Sequence, residues 1–137
     1  IEGGIPREIG LISSLRRLDL WDNKLEGSIP SEIGMLSSLA DLGLSSNANL
    51  SGRVPTELAN LSNLEKLGLD ETRLTGSIPS NLCSKLQRAW IDCGEIECNC
   101  CSRSSAPHGS LPTPAPVVSL GTPLPSHAVP WVRRLVE

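Results

Sequence analysis

Along residues 15–85 the apolar positions follow one spacing that returns three times. Leu15, Leu18, Leu20, Leu25, Ile29, Ile33 and Leu36 stand apart among polar or small residues, and the same skeleton restarts at Leu39 and at Leu64. Leu86 opens a fourth copy, so the starts fall 24, 25 and 22 residues apart. A period of this length marks a solenoid, in which each unit buries its apolar face against its neighbours because it cannot bury enough alone. The first part of each unit alternates with period two. Leu18 and Leu20, Leu42 and Leu44, Leu67 and Leu69, and Ala89 and Ile91 are predicted to point inward from a short strand. Stacking then pairs these strands in parallel, and the pattern predicts one curved sheet. After Pro30 and Pro55 the pairs Ile33/Leu36 and Leu58/Leu61 suit a short helical or 3₁₀ segment on the convex side, too short to stand alone.

The residues between the apolar positions complete the skeleton LxxLxLxxNxLxGxIPxxL. Asn23 and Asn47 follow the strand at a tight turn; Gly27, Gly52 and Gly76 are expected to let the chain turn; Pro30, Pro55 and Pro79 lack an N–H and belong outside sheet ladders. On these residues the chain resembles the plant-type leucine-rich repeat family, whose mark is the GxIP after the strand. The resemblance covers roughly residues 1–93. It implies an α/β fold, a right-handed leucine-rich repeat solenoid with a parallel β-sheet on the concave face. It also implies that the turn Asn lies inside and hydrogen-bonds the backbone of adjacent turns, which makes a buried amide tolerable. Thr72 stands at that place in the third unit, so the ladder is expected to weaken there.

The organisation follows: a partial unit over 1–14, repeats over 15–38, 39–63 and 64–85, a degenerate repeat with a Cys-rich end over 86–101, and a tail over 102–137. The chain opens on the second half of a unit, with Ile1, Gly3, Ile5, Pro6 and Ile9 on the skeleton of Leu25, Gly27, Ile29, Pro30 and Ile33. A fragment of a longer array is therefore expected. Cys83, Cys93, Cys98, Cys100 and Cys101 replace the later skeleton, and this run looks like the C-terminal cap of diatom leucine-rich repeat proteins. Cysteines at the end of a solenoid read as disulfides closing its last turn. Five cannot all pair within one chain, and the run lacks paired CxxC spacing and a nearby His, so no metal site is expected. Residues 102–137, rich in Pro and Ser, cannot bury a core and read as disordered. Their abrupt start after Cys101 is what a changed reading frame or a retained intron would leave.

Charge and composition narrow the function. The net charge of −3 and the absence of Phe and Tyr remove the electrostatic and stacking arguments for nucleic acid. No apolar run is long enough to span a membrane; an anchor or a kinase domain would lie in parts outside this chain. Asp19, Asp22, Asp70 and Glu71 offer carboxylates that nothing in the sequence orients, and His108 and His127 lie in the tail. With no triad, phosphate loop or HExxH, neither an enzyme nor a cofactor is expected. Asn49-Leu50-Ser51 and Asn60-Leu61-Ser62 fit the N-glycosylation pattern. Together with the cysteines they point to an oxidising, extracellular or cell-surface location, the alternative being a cytosolic scaffold.

Strand residues between the inward leucines project from the concave face in rows: Arg17, Asp41, Lys66 and Arg88; Asp19, Gly43, Gly68 and Trp90; Trp21, Ser45, Asp70 and Asp92; Asp22, Ser46 and Glu71. Trp and Arg dominate interface hot spots. The candidate ligand-binding residues are therefore Arg17, Asp19, Trp21, Asp22, Asp41, Lys66, Asp70, Glu71, Arg88 and Trp90, with Arg17 and Asp22 flanking Trp21 and the two glycines making a flat floor. The expected function is non-catalytic recognition of a protein, peptide or glycan by this face. The resemblance implies the ectodomain of a receptor-like kinase or receptor-like protein, or a secreted inhibitor of cell-wall hydrolases. The alternative is a structural or surface-contacting array without a specific ligand.

Overall fold

The computed structural model describes residues 1–92 and 94–97. Thirteen short elements succeed one another: strands β1 (Glu2–Gly4), β2 (Arg17–Asp19), β3 (Lys24–Gly27), β4 (Asp41–Gly43), β5 (Asn49–Arg53), β6 (Lys66–Gly68), β7 (Arg73–Ser77), β8 (Arg88–Trp90) and β9 (Ile96–Glu97), with three 3₁₀ helices and one α-helix between them. The strands form two parallel sheets, β2-β4-β6-β8 and β1-β3-β5-β7-β9. The first is the expected concave sheet, with Arg17, Asp41, Lys66 and Arg88 in register across all four strands. The second corrects the expectation of a single sheet. Gly27, Gly52 and Gly76 do not turn the chain out of the array; they lie within β3, β5 and β7 at φ of 74°, 84° and 96°.

The prolines stand outside both ladders. Pro6, Pro30 and Pro55 each precede a 3₁₀ helix, Arg7–Leu11, Ser31–Met35 and Thr56–Asn60, and Pro79 precedes the α-helix α1 (Ser80–Cys83). Successive 3₁₀ helices run backbone against backbone. A Cβ on Gly10 would lie 2.5 Å from the Glu32 carbonyl oxygen, and one on Gly34 2.6 Å from that of Glu57. Ala59 takes the corresponding place where the next segment is α-helical, and its carbonyl accepts from Asn81 Nδ2 at 2.9 Å.

Between the two sheets and the helical side runs one apolar column, in which the inward leucines of the three full units are closed from solvent, with Leu86 and Ala89 packed partly buried against its end. Asn47 is fully buried beside it and satisfied on both sides. Its Nδ2 donates to the carbonyls of Leu44 at 2.8 Å and Leu20 at 2.9 Å, and its Oδ1 accepts from the Leu25 N–H at 3.0 Å, so one amide spans two units. Thr72 reaches only within its own turn, donating to the Leu69 carbonyl at 2.7 Å and accepting from Leu74 N–H at 3.3 Å. The weakening expected at Thr72 is present and has a simple cause: a hydroxyl is too short to cross to the preceding unit.

Candidate functional site

The concave sheet holds its outward side chains in rows one strand spacing apart, about 4.8 Å. In the first row Asp41 takes two cations. Its Oδ2 lies 2.9 Å from Arg17 Nε and 3.4 Å from Lys66 Nζ. These partly exposed pairs stabilise little but fix the three side chains against one another. Arg17 is thereby drawn sideways to Asp41 rather than standing with Asp22 as a free charge beside Trp21. Arg88 continues the row and is exposed.

In the second row Asp19 lies over Gly43, its Oδ1 2.9 Å from where a Cβ on that glycine would be. The same oxygen accepts from the Trp21 N–H at 3.3 Å. Burial raises the Asp19 carboxyl above its ordinary value; the Trp21 N–H opposes the rise and the Asp41 charge adds to it. The floor continues through Gly68 to Trp90, which is only 8 % exposed. Trp90 is thus a covered residue, whereas Trp21 is half-buried.

The third row holds what the sequence did not reveal. Ser45 is 1 % and Asp70 2 % exposed, although both alternate with the inward leucines Leu44 and Leu69. Ser45 Oγ, both Asp70 carboxyl oxygens and Trp21 Nε1 are buried and make no hydrogen bond. Burial pushes the Asp70 carboxyl up. The Ser45 hydroxyl and the residue's own N–H temper this from outside bonding geometry, and the nearby charges of Asp92 and Glu71 add to it. The sequence signal was slight: a serine and an aspartate in the row that Trp21 begins, next to a row floored by two glycines.

The last row turns the chain. Asp22, Ser46 and Glu71 all have left-handed backbones, at φ of 52°, 57° and 55°, a conformation that side chains other than Asn or Asp rarely adopt. Ser46 Oγ donates to Glu71 Oε2, and the Glu71 N–H donates to Asp92 Oδ2 at 2.7 Å. Counted over the face, six carboxylates (Asp19, Asp22, Asp41, Asp70, Glu71 and Asp92) meet three cations, two of them committed to Asp41, so the face is acidic.

Elsewhere, Asn49 and Asn60 are exposed, at the start of β5 and the end of a 3₁₀ helix. Cys83 is buried; Cys93, Cys98, Cys100 and Cys101, His108 and His127, and the tail lie outside the described residues. An open groove of about 520 Å³, which the sequence did not announce, runs where the chain enters the concave strands, past Arg16, Ala40, Glu65 and Gln87. Among the described residues no helix is long and apolar enough to cross a membrane.

A sheet-lined solenoid of stacked units with a buried polar turn is the architecture of leucine-rich repeat proteins, and the Leucine Rich Repeat family pattern matches residues 14–36 and 63–85. The chain belongs to the plant-type leucine-rich repeat family. Its segment is similar to the plant peptide hormone receptor RGFR1, solved in complex with RGF2, with 46% identity, a TM-score of 0.62, and coverage of 66% of this chain and 15% of that one. It is also similar to a chain of the BIR3–SERK2 complex from Arabidopsis thaliana (38% identity, TM-score 0.58, 69% and 52% coverage). A third likeness is the BIR2 ectodomain from the same plant (39% identity, TM-score 0.56, 62% and 45% coverage). The chain spans only about a seventh to a half of the length of these proteins. No curated protein matches it.

Proposed function

We propose that this chain is a non-catalytic recognition module, part of a receptor-like ectodomain or a secreted leucine-rich repeat protein, that binds a protein or peptide through its concave sheet. The observation that carries the reading is the in-register face of β2-β4-β6-β8, on which Trp21 stands half-exposed beside an acidic floor. Similarity to a peptide hormone receptor solved in complex with RGF2 and to a chain of the BIR3–SERK2 complex supports a peptide or protein over a glycan. The irregular rows speak against a surface-contacting array, which would repeat one residue type along each row. An extracellular or cell-surface location is supported by the similarity to receptor ectodomains and by the exposure of Asn49 and Asn60, the proposed glycosylation acceptors, and it suits the disulfides proposed for the cysteines. The proposed domain runs from residue 1 to the Cys-rich end at 101.

A displayed library of peptides selected on the full chain tests the reading. Selected binders should lose affinity by tenfold or more, about 1.4 kcal/mol, when Trp21 is replaced by Ala. Binders that hold Trp21→Ala as tightly as the parent would move recognition to another surface.

A further inference from the structure

We propose that Ser45 and Asp70, in one row with Trp21, form a subsite on the concave face for a single cationic side chain of a peptide, a guanidinium or ammonium group; this rests on the recognition reading above. Ser45, Asp70 and Trp21 are lateral neighbours in one row, set by the register that pairs Asp41 with Lys66 and Arg17 with Asp41. The backbone confirms the alignment: the Asp22 N–H donates to the Ser45 carbonyl at 3.1 Å, and the Ser46 N–H to the Asp70 carbonyl at 3.0 Å.

Three adjacent side chains thus carry orphaned polar atoms. Asp70 offers two acceptor oxygens, Ser45 a hydroxyl that donates or accepts, and Trp21 Nε1 a donor. Orphaned buried groups are costly, and a partner that satisfies them recovers that cost. Ser45 and Asp70 alternate with the inward Leu44 and Leu69, which puts neighbouring face side chains in place to close their oxygens off. The bulky ones in register are Trp21 beside Ser45 and Trp90 diagonal to Asp70. Rotation of the Trp21 indole about its two side-chain torsions opens the floor at small entropic cost.

Charge decides what enters. Asp70 sits beside Asp92 and Glu71 on an acidic face, and the cations Arg17 and Lys66 are already taken by Asp41. A guanidinium supplies two parallel donors to the carboxylate in a charge-assisted pair. The indole face of Trp21 favours the same cation, and its Nε1–H is left to donate to a main-chain carbonyl of the bound peptide. A neutral or anionic side chain would leave the carboxylate without a counter-charge.

The test uses the full chain labelled with 5-fluorotryptophan, titrated with acetyl-Gly-Gly-Arg-Gly-Gly-amide and with its citrulline counterpart, which keeps the shape and N–H donors but lacks the charge. The arginine peptide should shift the Trp21 resonance saturably and bind at least about tenfold more tightly than the citrulline peptide. Asp70→Asn, which keeps the shape of the site, should bring the two peptides within about twofold of one another, and Ser45→Ala should weaken the arginine peptide while keeping its preference. Equal affinities for the two peptides, discrimination that survives Asp70→Asn, or no saturable shift of Trp21 up to 10 mM peptide on the scale of a weak single contact would each overturn the subsite. The broader reading is judged apart from this. Library-selected peptides that depend on Trp21 but carry no cation would leave concave recognition standing and remove the subsite.

Discussion

Asn47 and Ser45 are two residues apart on the same turn, both closed to solvent, and they live in opposite conditions. Asn47 faces the leucine column and has its donors and acceptor used, across two units; Ser45 faces the concave side and, with Asp70 beside it, makes no hydrogen bond. Buried polar groups serve a fold when they are satisfied and weigh on it when they are not. The inner polar position therefore reads as structure and the outer one as function, and stability measurements can separate them.

The largest effect should come from Asn47→Ala. It strands the Leu25 N–H and the Leu44 carbonyl, while the Leu20 carbonyl keeps its bond from Asn23 Nδ2, at a cost of about 3–5 kcal/mol, read from urea denaturation. A loss below about 1 kcal/mol would mean that the ladder is replaceable by water and the contrast with Ser45 is empty. Next comes Leu44→Ala, just before Ser45 at the strand exit and fully buried, at about 2–5 kcal/mol through lost transfer and cavity terms.

Asp70→Asn should act in the other direction. Its carboxyl is raised above the ordinary 3.8 chiefly by burial, with Asp92 and Glu71 facing it and the Ser45 hydroxyl opposing. Between the unfolded and folded values the folded chain holds more protons, so stability falls as pH rises through that window. At pH 7 the substitution should therefore stabilise by about 1 kcal/mol, and the gain should fade as pH falls toward the unfolded value. An equal gain at both ends would remove burial of the charge as its cause. The smallest change belongs to Ser45→Ala, a gain within about 0.5 kcal/mol, because it removes a small orphaned hydroxyl and strands no partner.

These contrasts also mark what the sequence could carry. The concave strands, the leucine column, the segments after the prolines and the gap at Thr72 were legible because each depends on one residue type at one period. The second sheet was not: each of β3, β5 and β7 has one buried leucine and a glycine, too brief an alternation to read as a strand. The row of Arg17, Asp41 and Lys66 was legible as a row, but its ion pairs needed the register. The burial of Ser45 and Asp70 was hidden altogether, since it depends on where neighbouring side chains on the face lie, and an exposed-looking position in a period-two pattern carries no such information.

The close backbone contact at Gly34 reaches across the molecule to the opposite face. Hydrogen-bonded ladders hold the concave strands at about 4.8 Å, while on the outer side the spacing is whatever the 3₁₀ helices allow. A methyl at Gly34 would collide with the Glu57 backbone and wedge the outer side open, bending the array more sharply about its inner sheet. Trp21 and Trp90 stand three strand spacings apart, about 14 Å along the flat sheet, and a sharper bend would tilt their rings toward each other. A residue without a side chain on the outside of the curve therefore sets how sharply the inside bends, and with it the shape of partner that can lie along all four concave strands.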